Sequence, residues 1–280
     1  MQRYEILRSI ATELDNGEVT FPTNALVALK LQHALSDPEC HADTATRLIK
    51  AEPLLSAKVV ALANSTVFNT SGRPITDVRT AVLRLGFRYL RTLAAAVVTR
   101  QLAVPLSATD RELAARLWEH TAHVAALAQI IARKVTHLDP ETAMFAGIVH
   151  EVGGFYLISR AADYPGLLDG PNGSLLAWDE GGAAEVGRAV LKRLSAPAAV
   201  SEAIESLWAG YLAMPPQSLG DTLLLADQLA PVESPLSQLA GHGREGTEAQ
   251  IDVALDEQTL GSILEESAAD VASLIEALRA

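Results

Sequence analysis

Two histidines and two carboxylates, each set in an apolar helical run, are the residues of this chain best placed to do chemistry. His150 and Glu151 sit side by side in Ala143-Met144-Phe145-Ala146-Gly147-Ile148-Val149-His150-Glu151-Val152-Gly153-Gly154. Upstream, Trp118-Glu119-His120 carries another histidine, and downstream Leu223-Leu224-Leu225-Ala226-Asp227-Gln228-Leu229-Ala230 places an aspartate in a third apolar stretch. Imidazole and carboxylate together suit a divalent first-row metal such as zinc, manganese, iron or nickel. An ion held there would acidify bound water and polarise a phosphoryl oxygen, the physical basis of phosphate-ester hydrolysis. Glu151 is one methylene longer than aspartate, so it ligates only where the cavity sets its backbone back. The same four side chains could instead form a buried polar cluster with no metal, since buried histidines usually meet carbonyls or carboxylates and buried acids are usually paired. His123 falls on the flank of its apolar stripe, and His33, His41, His137 and His242 lie in polar surroundings and read as ordinary surface or boundary residues.

The elements that must position these groups are helical. Apolar residues make up 49% of the 280 positions, enough for a sizeable core, and they recur at helical spacing with almost no strand-like alternation. This predicts an all-α fold. Pro53 opens a helix that ends near Asn64-Ser65-Thr66, Asp77 caps the next, and Gly86 is placed to end it in a left-handed conformation. Thr109-Asp110-Arg111-Glu112 has capping-box spacing. The helix after it aligns Leu113, Leu117, His120, Val124, Leu127, Ala128 and Ile131 on one face, which points His120 inward. Asp139-Pro140 starts a helix carrying Ala143, Ala146, Gly147 and His150 along one side, and the small residues there permit close approach of a neighbour. Pro197 begins another helix, and Pro215-Pro216 precedes the one bearing Asp227. Residues 231–250 are rich in Pro, Gly, Ser and Glu and read as an exposed, flexible connection to an acidic amphipathic helix. The expected organisation is a helical lobe over 1–105, a second over 106–232, and the connection with its helix over 233–280.

Charge and cysteine content narrow the function classes. The net charge is −12 and the basic residues are scattered, so neither a nucleic acid nor an anionic membrane is an expected direct partner. The single cysteine, Cys40, rules out an internal disulfide and any multi-cysteine metal site. Without a signal-peptide pattern or a run of about 18 apolar residues, the sequence predicts a cytoplasmic protein.

At these residues the chain resembles the HD-related output domain family, HDOD, a branch of the HD superfamily of metal-dependent phosphohydrolases. The resemblance runs through Glu52-Pro53-Leu54 and Asn64-Ser65, with Glu52 where an aspartate is usual, and through Ile75-Thr76-Asp77-Val78 to Ala81-Val82 and Leu85-Gly86. It continues in Leu117-Trp118-Glu119-His120 and Ala146-Gly147-Ile148-Val149-His150-Glu151-Val152-Gly153 and covers roughly residues 20–230. It implies a two-lobed helical HDOD fold with an HD-like second lobe, and a place in bacterial signalling. The catalytic residues of HD enzymes correspond to His120, His150 with Glu151, and Asp227. This chain departs from them: His-Glu replaces His-Asp, Gly154 stands where a lysine or arginine often follows, and no Gly-Tyr-Pro motif occurs, so two-metal cleavage of a cyclic dinucleotide is not expected. The resulting expectation is a pseudoenzyme that binds signalling proteins or a small ligand, with no cofactor. The alternative is a single-metal phosphohydrolase acting on a nucleotide or phosphomonoester, with one divalent transition metal on His120, His150, Glu151 and Asp227. A homo-oligomer is compatible with the sequence.

Overall fold

The computed structural model describes residues 3–16, 25–35, 37–102, 107–161, 163–164, 167–168, 183–194, 196–210, 213, 215–239, 254–255 and 258–279. Helices dominate: α1 (Arg3–Asp15), α2 (Ala25–Ala34), α3 (Ala42–Lys50), α4 (Pro53–Asn64), α5 (Val78–Leu102), α6 (Ala108–Lys134), α7 (Pro140–Val149) and α8 (Val152–Arg160) are followed by α9 (Ala183–Arg193), α10 (Ala198–Ala209), α11 (Leu219–Leu229) and the short α12 (Pro235–Leu239). Two-residue strands β1 (Ala254–Leu255) and β2 (Gln258–Thr259) pair antiparallel before α13 (Leu260–Glu266) and α14 (Ala268–Arg279). The fold is all-α, and that small ladder is the β structure among the described residues.

Local chemistry sets the helix ends. Glu52 caps α4 by accepting from the Leu55 amide. At the other end of α4, Asn64 donates to Ile75 O at 2.7 Å and accepts from Ile75 N at 2.8 Å, closing the Ser65–Pro74 turn like a backbone pair. Asp77 Oδ1 accepts from Thr80 N at 2.9 Å, as its position predicts. Gly86 does take a positive φ of 74°, but its ψ of 167° is extended, so α5 kinks there and continues to Leu102. The start of α6 also differs from the sequence expectation. Ser107, not Thr109, is the N-cap, because Ser107 Oγ accepts from Asp110 N at 3.2 Å and donates to Asp110 Oδ2 at 2.6 Å.

α6 and α7 form the centre, with α11 and α14 against α6 and α5 against α7. The long α5 also receives α2, α3 and α4, so it joins the amino-terminal helices to the central pair. Arg88 fixes that junction through ion pairs to Asp139 and Glu141 at the start of α7. The stretch Pro140–Arg160 is long and apolar enough to cross a membrane, but it lies mostly buried at this centre. The carboxy-terminal helix packs on α4 and α6, and the fully buried Lys58 donates its ammonium to Leu278 O.

One expectation is overturned over part of its length. Residues 231–239 are not an exposed connection: Ser234 and Leu236 are buried and α12 touches α6. Ser234 caps the turn, its Oγ accepting from Leu236 N at 3.2 Å, and Leu236 gains its burial against α8. The remainder of that stretch, 240–250, lies outside the described residues.

Candidate functional site

Gly147 controls the approach of α7 to α6. A Cβ at this position would lie 2.5 Å from Ala125 Cα and 2.9 Å from Ala125 N, so the two backbones touch. That contact brings the His150 ring to the His120 ring, Nε2 to Nε2 at 3.2 Å, with both side chains buried. Asp227 arrives from α11, its Oδ1 3.2 Å from His120 Nε2. Glu151, directly after α7, turns its Oε1 to accept from Ser234 Oγ at 2.6 Å. All four residues singled out from the sequence therefore meet in one cluster.

The hydrogen bonds decide the ring tautomers. His120 Nδ1 lies 2.8 Å from Val232 O and His150 Nδ1 lies 2.7 Å from Gly147 O. A carbonyl oxygen only accepts, so each Nδ1 must carry the hydrogen, which leaves Nε2 of a neutral ring with a bare lone pair. Two such lone pairs face each other beside Asp227 Oδ1. Glu151 Oε2 is buried nearby with no hydrogen-bond partner among the described residues. An array of acceptors at this spacing needs a cation, and either a proton or a metal ion can supply it.

The proton alone satisfies most of the cluster. Burial works against a charged His120, yet the hydrogen bond to Asp227 and the charges of Glu151 and Asp227 outweigh it and push the imidazole up to about 9. Burial holds His150 below the ordinary histidine range, where it remains a neutral acceptor. At neutral pH the cluster is thus an imidazolium–imidazole pair flanked by carboxylates.

The residues also fit one divalent ion. Ligand atoms of His120, His150 and Glu151 all lie within 4.8 Å of one another. The 3.2 Å separations at His120 Nε2 match the roughly 3.0–3.4 Å between two ligands each about 2.1 Å from a shared ion. The unpartnered Glu151 Oε2 would complete the set with Asp227. Bound there, such an ion would supply Lewis acidity and an acidified water.

Sequence reasoning missed the roof of the site. Val232 and Ser234 each hold one ligand side chain, and Leu236 covers Gly154, where an added Cβ would meet Leu236 Cδ1 at 2.1 Å. The available signal was Ser234-Pro235-Leu236, a cap residue, a first-turn proline and an apolar residue, hidden in a stretch whose composition reads as loop. The other described histidines stay outside. His123 Nδ1 turns to Glu119 O one turn back at 2.8 Å, His41 is the N-cap of α3, His33 is in the last turn of α2, and His137 occupies a turn at φ 53°. His242 lies outside the described residues.

Comparison with known proteins agrees with this architecture. The model of the HDOD domain matches residues 21–208. Among solved structures, a candidate metal-dependent phosphohydrolase from Shewanella amazonensis SB2B superposes with a TM-score of 0.70 at 21% identity, covering 99% of each chain. An HDOD domain protein of unknown function from Geobacter sulfurreducens superposes with a TM-score of 0.59 at 22% identity, covering 98% of this chain and 97% of that one. At these identities the likeness shows the fold alone. No curated protein matches the chain.

Proposed function

We propose that this chain, which belongs to the HDOD domain family of the HD superfamily, acts as a bacterial regulatory protein that binds another protein or a small ligand and does not turn over a substrate. The observation that carries this reading is the seat of Leu236 on Gly154. Phosphoryl transfer needs cationic groups on the phosphate as well as a metal. Where catalytic relatives often carry a lysine or arginine, this chain has a glycine under an apolar side chain. Ser234 meanwhile engages Glu151 Oε1, and Val232 O fixes His120 Nδ1. His120, His150, Glu151 and Asp227 then serve as a polar hub, its two histidines buried, joining α6, α7, α11 and the 231–239 segment, an arrangement suited to changing state when one member is displaced.

A specific observation favours a second reading, a single-metal phosphohydrolase acting on a nucleotide or phosphomonoester: the donor set fits one divalent ion. Metal analysis of protein purified without added metal separates the two. The regulatory reading predicts substoichiometric transition metal, whereas one tightly held ion per chain, lost in His150→Ala, would favour the hydrolase. Direct nucleic-acid binding and membrane association form no part of either reading.

A further inference from the structure

Trp118 lies two residues before His120, about 200° round α6 from it. It floors a separate solvent-open groove. Phe155 of α8 meets the indole edge to face with ring centroids 6.3 Å apart, and Leu54 and Ala115 extend the apolar lining. Trp118 is buried, and its Nε1 has no hydrogen-bond partner among the described residues. Lys58 Nζ and the Arg100 guanidinium each lie 5.7 Å from the indole centroid.

The charges around this floor do not cancel. Lys58 is turned inward to Leu278 O, and Arg279 is held by Glu119 through a two-pronged ion pair. Arg100 donates to Arg279 O at 3.0 Å, and among the described residues neither Arg100 nor Arg111 forms an ion pair with a carboxylate. On a chain of net charge −12, two guanidiniums without a carboxylate partner among the described residues make this groove a locally positive feature. Arg111 stands eight residues from Glu119 on α6, about 12 Å along the axis. A peptide can run along that length, since about four extended residues at roughly 3.3 Å each cover it.

We infer that this groove docks an acidic segment of a partner protein, with an apolar side chain against Leu54, Ala115 and the exposed edge of Trp118 and carboxylates at Arg100 and Arg111. The guanidiniums lining the groove complement such a segment in charge. The inference names a partner class for the regulatory reading but rests on surfaces apart from the His120–His150 cluster, so its test is independent of catalysis.

The test is fluorescence anisotropy on the full chain with a fluorescein-labelled six-residue peptide, two glutamates on each side of a phenylalanine-leucine pair, and the same peptide with lysines for glutamates. The expected result is saturable binding of the acidic peptide alone, weakening as salt rises from 20 to 300 mM. Arg111→Glu and Ala115→Glu change exposed residues and should each weaken binding about tenfold or more with the melting temperature unchanged, because like charges brought together cost at least 1.4 kcal/mol. Equal binding of the lysine peptide, no binding at low salt, or wild-type affinity in both variants would overturn the inference. Displacement of the peptide by equimolar GMP would also overturn it, since it would show a single-anion site.

Discussion

Replacing Gly147 with alanine tests whether α6 and α7 must touch for the site to exist. The added Cβ would sit 2.5 Å from Ala125 Cα, while ordinary contacts begin near 3.4 Å, so the helices must part by about 1 Å. The obstructing atoms are backbone, and no rotamer change can relieve them. The cost should therefore lie at the upper end of overpacking penalties, about 3 kcal/mol, which lowers the melting temperature by roughly 6–12 °C in a chain of this size. The separation of His120 and His150 should grow by a similar distance and break their Nε2 contact. Urea denaturation gives the energy, and imidazole NMR resonances followed against pH report the contact. Adding Ala125→Gly removes only the 3.2 Å contact to Ala125 Cβ, so it should not rescue stability. A Gly147→Ala protein within about 0.5 kcal/mol of wild type, or full rescue by Ala125→Gly, would refute the reasoning.

Protonation gives a second prediction. His120 is raised from 6.5 to about 9 on folding, so its contribution is complete below pH 6.5 and is lost as pH rises through 9, on the order of 3 kcal/mol over the whole range. Lys58 has the opposite sign: burial lowers its ammonium to about 8, so its penalty is relieved as pH climbs from 8 toward 10.5. Stability measured by denaturant should thus fall between pH 6.5 and 8, and Asp227→Asn should flatten that slope; an unchanged slope would remove Asp227 as the cause. Ser234→Ala should cost about 1–3 kcal/mol by leaving both oxygens of Glu151 without a donor, and a silent substitution would show that the 231–239 segment does not hold the site. Glu151→Asp restores the superfamily motif but should yield no efficient enzyme and cost on the order of 1 kcal/mol, because Leu236 still covers Gly154. Assays of that variant with manganese, zinc and iron against nucleotides and phosphodiesters check this, and turnover near 1 per second would count against it.

The helices and the meeting of the four polar residues were legible because they follow from local pattern. Three- and four-residue spacing points His120 inward, Asp139-Pro140 fixes the register of α7, and Gly147 announces a close approach. What could not be read depends on partners distant in sequence. Ser107 took the cap of α6 from Thr109 because its hydroxyl and Asp110 satisfy each other. Residues 231–239 resemble a loop in composition, and only the folded arrangement brings Val232, Ser234 and Leu236 over the histidines. The same holds for Arg100 and Arg111, two scattered arginines until α5, α6 and α14 line up beside Trp118.

The claim that this site binds but does not turn over is tested most directly by steady-state hydrolysis with protein loaded with manganese, zinc or iron. Substrates should be cyclic di-GMP, nucleoside monophosphates and a generic phosphodiester, with His150→Ala as the background. The account predicts rates indistinguishable from that variant for every metal and substrate. Turnover of roughly 1 per second or more, abolished by His150→Ala, would contradict it.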